Sequence, residues 1–218
     1  MEREQLIIGV TGIRGAGKDT LAGMLGELYG FRRIAFADRL YQEVAEAFGV
    51  TVEFLQNREL KEQIRPELGL AHCKDPAFVA AALKVCLSPV ANSARAVLQV
   101  WGTEYRRAID DDYWLRAAQV RMWQTPGPVV ITDVRYRNEA DLLRDMGGVL
   151  VRVVRPAIYA AWETDPRSQH PSERDLLLYP VNHTFYNEEG NPGALEEQMV
   201  RFMRLLQAHI RRDKQAAA

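Results

Sequence analysis

A glycine-rich segment near the beginning of the sequence, GVTGIRGAGKDT at residues 9–20, carries residue types that bind phosphate. Gly12, Gly17 and Lys18 have the spacing of a phosphate-binding loop. In such a loop the glycines let backbone N–H groups point at one anion, and the lysine adds a positive charge beside the outer phosphates. The pattern predicts a triphosphate site formed by Gly12, Arg14, Gly15, Ala16, Gly17, Lys18, Asp19 and Thr20, with Lys18 as a catalytic residue.

The elements around this loop favour a phosphate site over a plain glycine-rich turn. An apolar run at residues 6–10 predicts a strand before the loop. Leu21, Leu25 and Leu28 have helical spacing after it. Strand, loop and helix together form the context that the motif requires.

Asp19 stands where this motif usually has a serine or threonine, and Thr20 still supplies a hydroxyl. The helix dipole favours a carboxylate at a helix N-terminus by about 0.3–1 kcal/mol. Beside a polyphosphate, however, a carboxylate is repelled unless a cation lies between them. We therefore expect Asp19 to face Mg²⁺ or a cationic side chain; the alternative is an acidic residue turned to solvent.

Composition limits the class of protein. The chain has 218 residues, 47% of them hydrophobic, and a formal net charge of −1, so a substantial core is expected and a polynucleotide partner is not. No apolar run approaches the length of a membrane span, which predicts a cytoplasmic protein with no membrane partner. Cys73 and Cys86 are expected to be reduced and buried.

The order of predicted elements is that of an α/β protein with a parallel sheet. Strands are predicted at about residues 5–11, 32–37, 128–134, 148–154 and 183–188. Helices are predicted at 18–29, 39–48, 52–63, 76–87, 93–109, 112–123, 137–146 and 194–211. We expect one domain over 1–218, in which residues 38–123 form a helical substructure at the carboxyl edge of the sheet, where ligands bind.

A second group of chemically suitable residues follows the predicted strand VVITDVR. Asp133 ends this strand, as expected of a carboxylate that supports Mg²⁺ beside a phosphate loop; the alternative is a helix cap. Arg135 and Arg137 place guanidinium groups near the same edge, where they suit phosphate oxygens. The alternative for both arginines is a surface salt bridge to Glu139 or Asp141.

Several segments together resemble the phage-type deoxynucleoside monophosphate kinases of the P-loop kinase superfamily. They are GAGKDT, FADRL, LQVWGTEYRR at 98–107, ITDVRYRNEA at 131–140, GGVLVRVVRP at 147–156, HPSE at 170–173 and FYNEEG at 185–190. The resemblance covers nearly the whole chain and implies a three-layer P-loop kinase fold with a five-stranded parallel sheet. It makes the Gly-Lys-Asp-Thr sequence a family trait, although it does not say what the Asp19 carboxylate does, and a kinase of this kind uses ATP and Mg²⁺ as cofactors. The electrostatic argument for Asp19 and the strand-end position of Asp133 make these two residues the expected metal ligands.

The resemblance also implies that a deoxynucleoside monophosphate lies under the helical region. The candidate contacts are Asp38, Arg39, Arg58, Lys61, Gln99, Trp101, Arg106, Arg107, Asp133 and Glu139, with Asn187 on the ATP side. Gln99 would hydrogen-bond a base edge, and Trp101 would stack on the base or belong to the core. Arg58 and Lys61 suit a monophosphate or form a solvated face, and Asp38 contacts the substrate or caps its helix.

The segment 155–183 has the polar, proline-rich composition of a lid. Arg155 and Arg135 are the candidate catalytic arginines that would neutralise the transferring group, and Arg167 lies further along the same segment.

The reaction expected from this resemblance is transfer of the ATP γ-phosphoryl group to the 5′-phosphate of a deoxynucleoside monophosphate. A dephospho-coenzyme A kinase or another hydroxyl kinase is the first alternative, with Asp38 as base. A nucleotide-dependent switch is the second, but the chain has no Asn-Lys-x-Asp motif, and DVRY lacks the glycine of a switch. The sequence leaves a homodimer open.

Overall fold

The computed structural model describes residues 5–162, 164, 168, 171–189 and 191–216. The chain divides into two compact units. One, the sheet unit, comprises Met1–Ala35 and Thr125–Ala218, and the other, the helical unit, comprises Phe36–Gln124. None of the helices in the described ranges is long and apolar enough to cross a membrane.

One or more helical segments separate each strand from the next along the described chain. The strands are β1 (Ile7–Thr11), β2 (Arg32–Ile34), β3 (Ile64–Arg65), β4 (Asn92–Ser93), β5 (Val129–Ile131), β6 (Val149–Val154) and β7 (His183–Tyr186). The α-helices are α1 (Lys18–Tyr29), α2 (Asp38–Phe48), α3 (Val52–Gln56), α4 (Pro76–Lys84), α5 (Ala94–Gln99), α6 (Tyr113–Gln124), α7 (Arg137–Asp145), α8 (Pro156–Trp162), α9 (Pro171–Arg174) and α10 (Pro192–Ala216). A π-helix, Val100–Arg107, continues α5, and 3₁₀ turns lie at Pro66–Leu68 and Leu70–His72.

The sheet unit contains a five-stranded sheet in the order β2-β5-β1-β6-β7. Every neighbouring pair is parallel. The carboxyl ends of all five strands therefore lie along one edge, where the chain continues into the phosphate loop, Asp133, Arg155 and Asn187. The predicted five-stranded parallel sheet is confirmed.

Alternation along β1 explains why helices cover both faces of the sheet. Ile8 and Val10 are fully buried on the face that packs in one cluster with Leu21 of α1 and Met199 of α10. Gly9 points the other way, and a Cβ there would press against Leu143 of α7. The sheet is thus enclosed between two helical layers, as the predicted three-layer fold requires.

The helical unit has its own core. Aromatic side chains fill it: Phe78 of α4 packs 4.4 Å from the ring of Trp101 and 5.6 Å from that of Tyr105, measured between centroids. Phe78 and Trp101 are fully buried. Two short strands, β3 and β4, pair antiparallel at residues 64–65 and 92–93.

Several predicted boundaries are wrong, and each has a local cause. The predicted helix 52–63 ends at Gln56, because Asn57 leaves the helical region and its side chain accepts hydrogen bonds from the N–H groups of Glu59 and Leu60. The predicted helix 93–109 changes to a π-helix after Gln99. Cys73 is half-buried as a free thiol, but Cys86 is exposed, because it lies in a left-handed turn (φ 63°) after α4.

The lid-like segment 155–183 contains α8, α9 and the beginning of β7. Residues 163, 165–167, 169 and 170 lie outside the described residues, so Arg167 is not placed.

Candidate active site

The glycine-rich loop connects β1 to α1, as predicted. Gly12, Gly15 and Gly17 have positive φ values of 143°, 82° and 106°. These conformations strongly favour glycine, because a Cβ would be strained there. The loop also passes close to neighbouring chain: a Cβ on Gly12 would collide with the backbone carbonyl of Val153, and one on Gly17 with the side-chain amide of Asn187.

Asn187, which follows β7, holds the loop from the outside. Its Nδ2 donates a hydrogen bond to the Ala16 carbonyl at 2.9 Å, and its backbone N–H donates to Val154 at 2.8 Å. The predicted ATP-side residue therefore lies against the phosphate loop and fixes it to the end of β6.

The Lys18 ammonium lies within the loop. Its Nζ donates to the carbonyl oxygens of Gly12 at 2.7 Å and Ile13 at 3.0 Å. Burial, followed by repulsion from Arg135, lowers the pKa of Lys18 to about 8, although nearby carboxylates, Glu173 foremost, oppose this shift. A phosphate would replace the loop carbonyls with stronger, charged acceptors.

Asp19 forms an ion pair with Arg33 at the amino end of α1. Arg33 lies on the edge strand β2 and also donates from Nε to the Thr132 hydroxyl at 3.2 Å. The cationic side chain expected beside Asp19 is thus present. Arg33 was missed by the sequence analysis, because an arginine on a short edge strand gives no signal of its own. Thr20 is exposed beside Asp19.

Arg135 bridges the loop and the lid-like segment. Its Nη1 donates to Glu173 at 2.7 Å, and the other carboxylate oxygen of Glu173 accepts from the Arg14 N–H at 3.4 Å. Burial opposes the charge of Arg135, but the carboxylates of Glu173 and Asp133 outweigh it and raise the pKa of the guanidinium. The acidic partner is Glu173, in contrast to the Glu139 or Asp141 considered from sequence.

The other two arginines at this edge also have acidic partners. Arg155 donates from Nη2 to Glu189 at 2.7 Å, while its buried Nε has no hydrogen-bond partner among the described residues. Arg137 lies 3.3 Å from Asp175, and its backbone N–H donates to the same carboxylate.

Glu139 is buried and its carboxylate accepts from the backbone N–H groups of Arg135 at 2.7 Å and Tyr136 at 3.0 Å. This carboxylate therefore satisfies the two backbone N–H groups that immediately precede α7, as in a capping box. These hydrogen bonds give Glu139 a structural role at the beginning of α7, and its predicted substrate contact stays a prediction. Asp133 is half-buried and acts electrostatically on both Lys18 and Arg135.

The oxygen donors at this edge suit Mg²⁺. No group of three or more His, Cys, Asp or Glu that would hold a metal by itself occurs in the part of the chain that the structure describes. Mg²⁺ commonly binds through one or two carboxylates together with substrate phosphates and water, which is the chemistry that Asp19, Thr20 and Asp133 offer.

In the helical unit, a buried carboxylate gathers three of the predicted acceptor residues. Glu43 of α2 accepts from Arg39 at 3.1 Å, from Trp101 at 3.0 Å and from Arg106 at 2.9 Å, and also from the Tyr113 hydroxyl. Burial favours the neutral acid, but the hydrogen bonds from Tyr113 and Trp101 and the charge of Arg106 lower the pKa of Glu43. Trp101 is 1% exposed, so the core alternative fits it and base stacking does not.

Sequence analysis missed Glu43, although a signal was present. Leu40, Val44 and Ala47 form an apolar stripe on α2, and Glu43 lies within that stripe at helical spacing. A charged residue inside an apolar stripe indicates a buried partner.

The remaining acceptor candidates have separate surroundings. Lys61 donates to the Tyr41 hydroxyl at 2.6 Å, and Arg107 donates to the Asp111 carbonyl at 3.3 Å. Asp38 is the first residue of α2, one position after the N-cap residue Ala37, and it lies 3.7 Å from Arg121. Arg58 and Gln99 are exposed.

The parallel sheet and its glycine loop define an α/β protein with the fold of the P-loop class. The family model described as "Deoxynucleotide monophosphate kinase" matches residues 75–198, and the chain belongs to that family. It is 27% identical to the deoxynucleoside-5′-monophosphate kinase of Escherichia phage T5, over 90% of this chain and 95% of the relative. It is 29% identical to a protein of Acanthamoeba polyphaga mimivirus described as a deoxynucleotide monophosphate kinase, over 78% of this chain and 82% of the relative. A solved shikimate kinase from Acinetobacter baumannii is 14% identical with a TM-score of 0.46, over 94% of each chain.

Proposed function

We propose that this chain is a deoxynucleoside monophosphate kinase that transfers the γ-phosphoryl group of ATP to the 5′-phosphate of a deoxynucleoside monophosphate, giving the diphosphate and ADP. The observation that carries the proposal is the glycine loop with Lys18 Nζ held at its centre, 2.7 Å from the Gly12 carbonyl, in a chain of this family. The phage and mimivirus relatives support the choice of acceptor.

Phosphoryl transfer to a phosphate requires that the two substrates are positioned and that the developing negative charge is neutralised. The acceptor atom is a phosphate oxygen, which is largely ionised near pH 7 because the second phosphate pKa is about 6. A general base is therefore not needed. Lys18, Arg135 and Arg155 would neutralise the charge that develops on the transferring group.

Mg²⁺, held by Asp19 or Asp133 with Thr20 nearby, would supply further charge neutralisation when bound with ATP. The loop N–H groups and Asn187 would orient the phosphates. Closure of the 155–183 segment would exclude the water that otherwise hydrolyses ATP. In the helical unit, Arg39 and Arg106 are the first candidates for the acceptor phosphate, followed by Arg58, Lys61 and Arg107.

The wider biological setting belongs to the same proposal. The enzyme would act in the cytoplasm, in that of the host if a phage encodes it, on a small-molecule substrate without a polymer or membrane partner. A homodimer is compatible with it.

The test is a panel of acceptors with Mg-ATP, followed by ADP release. It contains the four deoxynucleoside monophosphates, dephospho-coenzyme A and a sample without acceptor. We expect turnover with at least one monophosphate, none with dephospho-coenzyme A, and loss of turnover in a folded Lys18→Ala variant. Turnover only with dephospho-coenzyme A would move the assignment to a hydroxyl kinase, and equal ADP release without acceptor would indicate a hydrolysing switch.

A further inference from the structure

The Glu43 cluster, defined as Glu43, Arg39, Trp101, Arg106 and Tyr113, joins three elements of the helical unit. Arg39 and Glu43 belong to α2, Trp101 and Arg106 to the π-helix, and Tyr113 begins α6. Both oxygens of the Glu43 carboxylate accept two hydrogen bonds each: Oε1 from Arg39 and Tyr113, and Oε2 from Trp101 and Arg106. The carboxylate is therefore fixed in position and orientation.

Arg39 and Arg106 contact Glu43 through the corresponding nitrogen of each guanidinium group. Arg39 donates from Nε, and so does Arg106. A guanidinium carries five N–H donors, so this arrangement leaves the terminal nitrogens for other acceptors. Within the described chain the terminal nitrogens of Arg39 make no hydrogen bond, and those of Arg106 donate only from Nη1, at 3.3 Å, to Tyr105.

The charges of the cluster do not cancel. One carboxylate, with a single negative charge, faces two guanidinium groups, each of which carries a positive charge. Arg39 is 48% exposed and Arg106 is 24% exposed, whereas Glu43 is 5% exposed. The negative charge is therefore inside and the excess positive charge is at the surface, which suits a dianionic phosphate monoester.

The π-helix explains how Arg106 reaches this position. In a π-helix, residues five apart stack along the axis, whereas in an α-helix they diverge. Arg106 consequently lies beside Trp101, 5.6 Å from its ring centroid, and also 4.5 Å from Tyr105 and 5.0 Å from Tyr113. Three aromatic rings and one carboxylate hold a single guanidinium before any ligand arrives.

We propose that Glu43 is a positioning residue that holds Arg39 and Arg106 as a two-armed clamp for the 5′-phosphate of the acceptor nucleotide. This inference rests on the proposed function and adds to it the group that preorganises the acceptor site. Glu43 itself does not touch the substrate. Its contribution is to fix both guanidinium groups around one point, so that their terminal nitrogens remain available for phosphate oxygens.

The test is Glu43→Gln, which keeps the size of the side chain but removes its charge and turns an N–H group towards donors. We expect the acceptor KM to rise about ten-fold, because two charge-assisted interactions lose their geometry. The kcat should change by about two-fold or less and the ATP KM should not change, because the substitution leaves the residues on the ATP side of the reaction unaltered.

Binding measurements separate positioning from general damage to the unit. By isothermal titration, Glu43→Gln should weaken binding of the best-accepted deoxynucleoside monophosphate about ten-fold while leaving the matching deoxynucleoside, which lacks the phosphate, unchanged. Glu67→Gln is the matched control, because it removes the exposed Arg65–Glu67 pair of the same unit and should leave all of these constants unchanged.

An unchanged acceptor KM in folded Glu43→Gln, or equal weakening of the monophosphate and the deoxynucleoside, would overturn the inference. If Glu43→Gln does not fold, the acceptor KM of Arg39→Lys is measured instead and should rise. Lysine keeps the positive charge, but it has only one nitrogen and cannot contact Glu43 and a phosphate through separate nitrogens of one planar group. An unchanged acceptor KM in that variant would also overturn it. Wild-type protein that phosphorylates none of the four monophosphates would instead contradict the proposed function.

Discussion

The cationic side chains in and around the phosphate loop already have oxygen partners within the protein. Lys18 contacts two loop carbonyls, Arg33 contacts Asp19, and Arg135 contacts Glu173. Nucleotide phosphates would therefore replace these internal acceptors as well as water. The electrostatic state of these residues should consequently control nucleotide affinity in a way that pH and substitution can measure.

Lys18 makes nucleotide affinity depend on pH. Its pKa of about 8 in the folded protein means that the charged fraction falls from about 90% at pH 7 to about 10% at pH 9. We expect ATP, without acceptor, to bind about ten-fold more weakly at pH 9 than at pH 7. The phosphates are ionised throughout this range, so Lys18 is the group that changes.

The control is Lys18→Gln, which should bind ATP weakly and with no change between the two pH values. The lowered pKa also makes the stability of the fold depend on pH. The unfolded lysine keeps its proton up to pH 10.5, whereas the folded one loses it near pH 8, so the free energy of unfolding rises between pH 8 and 10.5. An ATP affinity that is flat with pH in the wild type would contradict the lowered pKa.

Asp19 pairs with Arg33, and in the proposed site it would also bind Mg²⁺. Asp19→Asn should raise the Mg²⁺ concentration needed for half-maximal activity, since one carboxylate ligand is lost. Arg33→Gln should lower it, by less than about five-fold, because the pair is roughly half exposed and such pairs are weak.

The two substitutions should not be independent. In the Asp19→Asn background, Arg33→Gln is expected to have no effect on the Mg²⁺ midpoint, as in a double-mutant cycle. Mn²⁺ binding in the presence of ATP can be measured directly by electron paramagnetic resonance. It should be weaker in Asp19→Asn than in the wild type and tighter in Arg33→Gln. An effect of Arg33→Gln that persists without Asp19 would assign Arg33 to another role.

Single residues differ in how far sequence reveals them. Lys18 and Asp133 are placed by local motifs, because a loop or strand end fixes where they lie. Glu173 and Arg33 are brought to the site by parts of the chain that at least one helix separates from the loop, and no local sequence pattern indicates that contact. The role of Glu43 depends on partners up to 70 residues away in sequence, so only its place in an apolar stripe could have indicated it.

At the scale of elements, the two glycines Gly12 and Gly23 allow a matched comparison. Gly12→Ala should destabilise the protein by about 1–3 kcal/mol, because φ is positive and the Cβ would meet the backbone of β6. Gly23→Ala in α1 should stabilise it by about 0.5–1 kcal/mol, because nothing lies within 4 Å and alanine favours helix. Urea denaturation measures both, and a Gly12→Ala variant as stable as the wild type would contradict the described loop geometry.

Elements were predictable where local sequence determines them. The predicted bounds of α1, 18–29, are confirmed, because a loop glycine precedes the helix and Gly30 ends it with a left-handed conformation. The π-helix was not predictable, because its wider turn depends on packing of Trp101 and Tyr105 against Phe78. The β3–β4 pair was missed for a similar reason: two residues on each side carry no periodic signal.

At the scale of the whole molecule, the sheet unit and the helical unit carry different candidate sites. The phosphate loop, Asn187 and Arg135 belong to the sheet unit, whereas the Glu43 cluster belongs to the helical unit. The sequence predicted one domain over 1–218 with a helical substructure at 38–123, since the helices there interrupt the strand order. Cores of the two units are also separate groups of buried residues.

This division predicts which parts of the chain each ligand protects. A non-hydrolysable ATP analogue with Mg²⁺ should slow hydrogen–deuterium exchange in peptides covering residues 12–20 and 187, because loop N–H groups would bind phosphate. A deoxynucleoside monophosphate alone should slow exchange in peptides covering 39–43 and 100–113, and the matching deoxynucleoside should protect 100–113 less. Protection of 12–20 by the monophosphate, with none in 39–43 or 100–113, would contradict the assignment of the acceptor site to the helical unit.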